Sequence, residues 1–108
     1  MRTKDLDLDV MQERAGEVAG LLRAVANERR LLILCKLVEW GEANVNTLAE
    51  AVGLSASALS QHLAKMRAEG LVTFRRESQT IWYRIADPRV EELFATLHKL
   101  FCKTSKRC

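Results

Sequence analysis

Apolar residues recur at spacings of three and four along much of the chain, which is the period of an amphipathic α-helix. The pattern predicts a first helix from about Glu13, a second from the N-cap Asn27 to about Trp40, and a last one from Asp87-Pro88 onward. Gly41 is expected to end the second helix, as glycine often does just past a helix C-terminus. The second helix is predicted to turn inward an apolar face made of Leu31, Leu32, Leu34, Cys35 and Val38.

Two shorter helices are predicted between the second and last helices, over residues 47–69. Thr47-Leu48-Ala49-Glu50 has the spacing of a capping box and should open the first of them. Gly53-Leu54-Ser55 then makes a tight turn, and Ser55 caps a further helix that runs to about Glu69. The predicted inward residues of this helix are Leu59, Leu63 and Met66.

The period changes from helix to strand after Gly70. Val72 and Phe74 alternate with polar residues, and the alternation resumes from Ile81 after a polar stretch at residues 77–80. Two alternating runs around a four-residue turn indicate a β-hairpin. A helix–turn–helix followed by a hairpin predicts a mainly α-helical winged helix-turn-helix fold, with five helices and a two-stranded wing.

The predicted organisation is one domain with short extensions. Its parts are a flexible acidic leader at 1–12, the domain at 13–102 with its helix–turn–helix at 47–69, wing at 71–86 and dimerisation helix at 88–102, and a basic tail at 103–108. The last helix is assigned to dimerisation because it is apolar around much of its circumference, more than a small domain covers alone. The apolar residues concerned are Val90, Leu93, Phe94, Ala95, Leu97, Leu100 and Phe101.

Composition and charge narrow the function. The chain has 108 residues and a formal net charge of +3, and its basic excess lies over residues 56–84, within the helix–turn–helix and the wing. No apolar run approaches the roughly 18 residues of a membrane span, and the N-terminus has no apolar signal region. We therefore expect a cytoplasmic protein with reduced thiols and no membrane partner.

The second helix of the helix–turn–helix is the predicted DNA-reading element. Such a helix presents small and hydrogen-bonding groups to base edges in the major groove, and basic residues nearby contact phosphates. The alternative explanation of this helix face is that its residues are ordinary solvated side chains. The arginines of the basic wing could lie along phosphates or enter a minor groove. Their alternative role is to keep the protein soluble and to protect a strand edge. The predicted DNA contacts are Ser55, Ala56, Ser57, Ser60, Gln61, His62, Lys65, Arg67, Arg75, Arg76, Gln79 and Thr80.

The chain resembles the ArsR-type winged-helix repressors over roughly residues 18–102. The resemblance lies in residues 26–34, Gly53-Leu54-Ser55 through Leu63, Arg67, Glu69-Gly70-Leu71-Val72, Arg75-Arg76 and Ile81-Trp82-Tyr83. It implies a homodimer built from the first and last helices on double-stranded DNA with an imperfect inverted repeat, with Ser57, Ser60, Gln61 and His62 reading or positioning DNA. Close relatives often carry glutamine where this chain has Ala56, so a different operator is expected if that glutamine reads a base.

The cysteines indicate how DNA binding is controlled. The family's metal sensors place cysteines on the helix before the reading helix, which has none here, or paired ligands on the last helix, where Asp87, Glu91, Glu92 and His98 lack the spacing. No metal or cofactor is therefore predicted. Cys35 and Cys102 instead match the dithiol branch of the SqrR, BigR and HlyU type, in which a disulfide or polysulfide bridge forms in response to reactive sulfur species or oxidants. Cys108 lies outside that pattern.

Three other functions stay open at this point. The cysteines can be structural, with control by a metal or by no ligand. A thiol oxidoreductase is disfavoured because the chain has no Cys-x-x-Cys motif and no βαβ pattern, so no enzyme activity is expected. A winged-helix module that binds only protein would show no salt-dependent DNA affinity.

Overall fold

The computed structural model describes residues 8–102, apart from the side chain of Cys102. In that range the chain forms six helices and three strands. They are α1 (Leu8–Glu13), α2 (Ala15–Val25), α3 (Glu28–Trp40), β1 (Ala43–Asn44), α4 (Val45–Val52), α5 (Ala56–Ala68), β2 (Val72–Glu77), β3 (Thr80–Ile85) and α6 (Pro88–Cys102). The predicted winged helix-turn-helix is confirmed. None of the helices in this range is long and apolar enough to cross a membrane.

Two elements were not predicted from the sequence. Helix α1 makes the helix count six where the pattern predicted five, and it lies partly inside the segment predicted as a flexible leader. It has only six residues, which is too short to show a helical period. None of these residues is buried. Strand β1 has two residues and turns the two-stranded wing into a three-stranded antiparallel sheet of order β1-β3-β2. The rest of the predicted leader and the basic tail lie outside the described residues.

Helix α3 packs with a different face from the one predicted. Ile33, Leu34 and Leu37 are completely buried, whereas Leu32 and Cys35 are exposed. The prediction that Cys35 faces inward is therefore wrong for the single chain. Residues 31–38 are apolar at every position except one, so their period does not single out one face, and packing against the other elements decides it.

Local caps define the helix–turn–helix. The predicted capping box at Thr47 is wrong, because α4 begins at Val45 and the side chain of Asn44 accepts the Thr47 N–H at 2.8 Å. Gly53 ends α4 in the left-handed region (φ 73°), where glycine has no steric penalty. Ser55 then caps α5, as predicted, by accepting the Ala58 N–H at 3.0 Å.

One core holds these elements together. Its completely buried members come from four helices, and Val72 on β2 is nearly as buried. The helical residues are Ile33, Leu34, Leu37, Leu48, Leu59, Leu63, Met66 and Val90. The wing is in register with Phe74 opposite Tyr83 and Glu77 opposite Thr80, so the turn between the strands is Ser78-Gln79, two residues shorter than predicted. The core fixes α5 on one side only, which leaves its other side at the surface.

Candidate nucleic-acid interface

Helix α5 has one fully buried face and one exposed face. Leu59, Leu63 and Met66 are inaccessible to solvent. The side chains predicted to contact DNA from this helix are exposed at Ala56, Ser57, Ser60, Gln61, Lys65 and Arg67, and half-buried at His62. The fold therefore presents the predicted reading residues together along one exposed helix.

Ser55 stands at the N-terminal end of this face. Its hydroxyl oxygen accepts the Ala58 N–H, and its own O–H remains free to donate, because a hydroxyl is both donor and acceptor. The first backbone N–H groups of α5 are also at this end, where a helix has its positive dipole. An anion such as a phosphate is favoured there.

The other end of α5 is tied to the wing and to α3. The Arg67 guanidinium lies 4.5 Å from the centre of the Phe74 ring on β2. Arg30, at the start of α3, donates to the carbonyl oxygen of Ala24 at 2.9 Å and to both carboxylate oxygens of Glu69 at 2.8 and 3.3 Å. Arg30 therefore joins α2, α3 and the C-terminal end of α5, a role that the sequence analysis did not identify.

The two predicted wing arginines point to opposite faces of the sheet, because side chains alternate along a strand. Arg76 lies opposite Ile81 and makes no ion pair within residues 8–102. Arg75 donates from Nε and Nη2 to the two carboxylate oxygens of Glu42, at 2.7 and 3.0 Å. These hydrogen bonds lower the pKa of Glu42. Glu42 is not evident as a partner from the sequence, since 33 positions separate it from Arg75.

The wing tip carries the remaining predicted contacts. Gln79 is exposed in the turn and Thr80 is half-buried at the first position of β3. Ser78 precedes them with a φ of 56°, which is uncommon for a residue other than glycine and tightens the turn. Arg76, Gln79 and Thr80 therefore cluster at the end of the hairpin, whereas Arg75 is held at its middle.

Cys35 is an exposed thiol on α3. Partial burial of the sulfur, followed by the charge of Glu39, raises the pKa of this thiol, and Lys36 opposes the rise. Helix α3 packs against α6, which Cys102 ends. The side chain of Cys102 and the whole of Cys108 lie outside the described residues. Within the part of the chain that is described, no cluster of three or more His, Cys, Asp or Glu side chains could hold a metal ion.

Large apolar side chains remain exposed on the first two helices and on the last. They are Leu8, Val10, Met11 and Leu22 on α1 and α2, and Leu100 and Phe101 on α6, with Phe101 80% exposed. Arg89 of α6 also donates to Glu17 of α2 at 2.6 Å, which ties the two ends of the domain to each other. The exposed apolar residues of α2 and α6 therefore belong to helices that are linked in the single chain.

Comparisons with known proteins agree on one family. Residues 27–73 match the family model described as "Bacterial regulatory protein, arsR family". The chain is 42% identical over 101 residues to the transcriptional activator HlyU of Vibrio cholerae, covering 94% of this chain and 93% of that protein. The family model covers α3, β1 and the helix–turn–helix, and the match to HlyU extends over nearly the whole chain.

Two solved structures share the fold. The reduced form of HlyU from Vibrio cholerae superimposes with a TM-score of 0.78 at 44% identity, covering 85% of this chain and 96% of that one. The transcriptional repressor BigR from Xylella fastidiosa gives a TM-score of 0.82 at 36% identity, covering 90% and 98%. These relatives are transcription regulators rather than enzymes. On this identity and coverage, the chain belongs to the arsR family of bacterial transcriptional regulators.

Proposed function

We propose that this chain is a homodimeric repressor whose affinity for its operator falls when Cys35 and Cys102 become bridged. The observation that carries the DNA-binding part is α5, which exposes small and hydrogen-bonding side chains opposite a fully buried face. A helix fixed in this way can enter a major groove as a rigid element.

The exposed side chains of α5 fit the readout of base edges. Gln61 can make two hydrogen bonds with an adenine, and Ser57 and Ser60 can bond to several bases. The Ala56 methyl group can contact a thymine methyl group, a different preference from that of glutamine at this position. Lys65, and Arg76 on the wing, supply phosphate contacts, which position the protein without reading sequence.

The apolar side chains exposed on α1, α2 and α6 support the proposed dimer. Two copies that bury these surfaces about a two-fold axis present two α5 helices to DNA. Half-sites one helical turn apart, about 34 Å, would be read by that pair. An inverted repeat in the operator then mirrors the symmetry of the protein.

The thiol chemistry assigns different roles to the two cysteines. The raised pKa of Cys35 keeps its thiol protonated at neutral pH, so it is a poor first nucleophile. Cys102 has lysines at positions 99 and 103 in the sequence, and nearby positive charge favours a thiolate. We therefore assign the first attack to Cys102 and the second to Cys35.

A persulfide R–S–SH supplies the oxidising equivalents. The Cys102 thiolate attacks its terminal sulfur, the S–S bond of the persulfide breaks, and R–S⁻ leaves. Cys35 loses its proton to solvent and attacks the Cys102 sulfur, which forms the disulfide and releases HS⁻. Two thiols are oxidised, and the persulfide is reduced to a thiol and hydrogen sulfide.

The bridge acts on DNA binding through the separation of the two α5 helices. It would tie α3 to the last residue of α6, the helix proposed to form the dimer. A ligand or bond shifts an equilibrium only if it favours one state over the other. A coupling of roughly 1–3 kcal/mol would lower affinity by about 5- to 150-fold.

The experiment is operator binding by fluorescence anisotropy, with DNA from upstream of the protein's own gene. Reduced protein is compared with protein treated with glutathione persulfide, for the wild type and for Cys35→Ser, Cys102→Ser and the control Cys108→Ser. We expect affinity to fall on treatment only in the wild type and the control, with a bridged mass by mass spectrometry.

Equal affinity in every sample would leave a DNA-binding regulator whose cysteines are structural. A fall on adding zinc or arsenite instead would indicate metal control.

A further inference from the structure

We infer that Arg75 positions the wing and does not bind DNA, and that Glu42 and Trp82 are its partners in this role. The inference rests on the proposed DNA binding, because it reassigns one of the residues predicted to contact DNA. It also assigns a function to Glu42, which the family resemblance did not point to.

The side chain of Arg75 crosses the outer face of the sheet. It starts on the edge strand β2, and its guanidinium lies 5.8 Å from the centre of the Trp82 ring on the central strand β3. Its two shortest side-chain hydrogen bonds end on Glu42, the residue just before β1. With neighbouring strands about 4.8 Å apart, one side chain thus links β2 and β3 to the residue that leads into β1.

This link adds to the short strand pairing between the wing and β1. Strand β1 has only two residues, and it pairs with β3 through Ala43–Tyr83 and Asn44–Trp82. Arg75 lies opposite Trp82, midway along the hairpin. Holding the hairpin at its middle sets the direction of the tip, where Arg76 and Gln79 lie.

The surroundings of Arg75 do not favour a phosphate. Glu42 and Glu77 both accept hydrogen bonds from it, the second at 3.4 Å from Nη1. These two carboxylates face the charges of Arg75 and of Arg84, which acts on Glu42 through space. The cluster carries no net charge, so it lacks the positive potential that attracts the DNA backbone. Arg76, on the opposite face, has no carboxylate partner within the described chain.

The salt dependence of DNA binding distinguishes a phosphate contact from a positioning role. Each phosphate contact contributes about 0.9 to the slope of log affinity against log salt. We expect Arg76→Gln, the matched control, to lower the slope by about 0.9 for each phosphate that the side chain no longer neutralises. Arg75→Gln and Glu42→Gln should leave the slope unchanged and weaken operator binding by up to about fivefold per wing, the limit for a half-exposed ion pair.

A charge-conserving variant and a double variant sharpen the comparison. Arg75→Lys keeps the positive charge but removes the paired hydrogen bonds, so it should weaken binding as Arg75→Gln does. The double variant Arg75→Gln/Glu42→Gln should be no weaker than either single one. If Arg75→Gln lowers the slope as Arg76→Gln does, and Glu42→Gln tightens binding, Arg75 contacts phosphate, Glu42 competes for it, and the inference is overturned.

Hydrogen exchange in the DNA-free protein tests the positioning role without relying on DNA binding. We expect Arg75→Gln and Glu42→Gln to speed amide exchange over residues 72–85, and Arg76→Gln not to. Unchanged exchange in all three variants would overturn the inference. Faster exchange in Arg75→Gln and Glu42→Gln would support the positioning role even if the protein bound no DNA. The lack of DNA binding would then refute the proposed function separately.

Discussion

Replacing Ser55 by alanine and by aspartate should separate helix capping from DNA contact at one position. Ser55 Oγ accepts the Ala58 N–H at 3.0 Å and the residue is exposed at the N-terminal end of α5. Alanine removes the capping oxygen. Aspartate keeps a capping oxygen, with a charge that the helix dipole favours, but it places a carboxylate where a phosphate is proposed to lie.

The two variants should therefore rank differently in two assays. Ser55→Ala should lose about 1 kcal/mol of unfolding free energy, which lowers the melting temperature by about 4–8 °C in a domain of this size. Ser55→Asp should melt close to the wild type. A carboxylate about 5 Å from a phosphate is repelled by roughly 0.8 kcal/mol at the dielectric constant of water, so two in a dimer weaken binding roughly tenfold or more.

Circular dichroism at 222 nm gives the melting temperature, and fluorescence anisotropy gives operator affinity. Asn27→Asp is the control for net charge, because Asn27 caps α3 by accepting the Arg30 N–H at 3.1 Å. Arg30 bonds to Glu69 at the far end of α5, about 20 Å along the helix from Ser55. If Ser55→Asp binds operator no more weakly than Asn27→Asp, α5 does not meet phosphate at this end. If Ser55→Asp has the same lowered melting temperature as Ser55→Ala, the capping argument fails.

Three further predictions concern stability and thiol reactivity. Gly53→Ala should lower the free energy of unfolding in urea by about 1–2 kcal/mol, all of it from the left-handed backbone, because an added Cβ meets nothing within 4 Å. An unchanged midpoint of the urea transition would contradict this. Glu39→Gln should lower the pKa of Cys35 and move the pH profile of its alkylation by iodoacetamide, followed on the Cys35 peptide, to lower pH; an unmoved profile would show that the Glu39 charge does not act on the thiol. Arg30→Ala should lower the free energy of unfolding by about 2 kcal/mol in the same assay, and Glu69→Gln by less than about 1 kcal/mol, because the Arg30 side chain is 14% exposed and that of Glu69 45%. The reverse order would refute the role of Arg30 in joining α2, α3 and α5.

The sequence predicted what depends on neighbouring residues. The caps at Asn27 and Ser55 are decided within three positions, and both are confirmed by hydrogen bonds to the residue three positions ahead. The inward face of α5 was also predictable, because polar residues separate Leu59, Leu63 and Met66 and leave one helical period. The capping of α4 shows the limit of this approach, since Asn44 and Thr47 are both capable caps and their order is settled only by where the chain leaves β1.

Contacts between distant residues were not predictable. Arg75 and Glu42 are 33 positions apart, and Arg30 and Glu69 are 39 positions apart. Each of these residues is an ordinary charged side chain in the sequence, and only the fold brings them together. The same holds for the orientation of α3, because the nearly continuous apolar run at residues 31–38 does not single out one face until its neighbours are in place.

The orientation of α3 bears directly on how a thiol signal could reach DNA. Cys35 is exposed rather than packed in the core, so a bridge from it to Cys102 would form at the surface and pull on α3 without opening the core. Arg30 lies five residues earlier on the same helix, about 7.5 Å along its axis, and bonds to Glu69 at the end of α5. A packed helix moves as a unit, so a displacement imposed at Cys35 would also displace Arg30. Helix α3 thus carries both the proposed sensor thiol and a direct contact with the proposed reading helix, and for this reason the proposed switch needs no additional moving part.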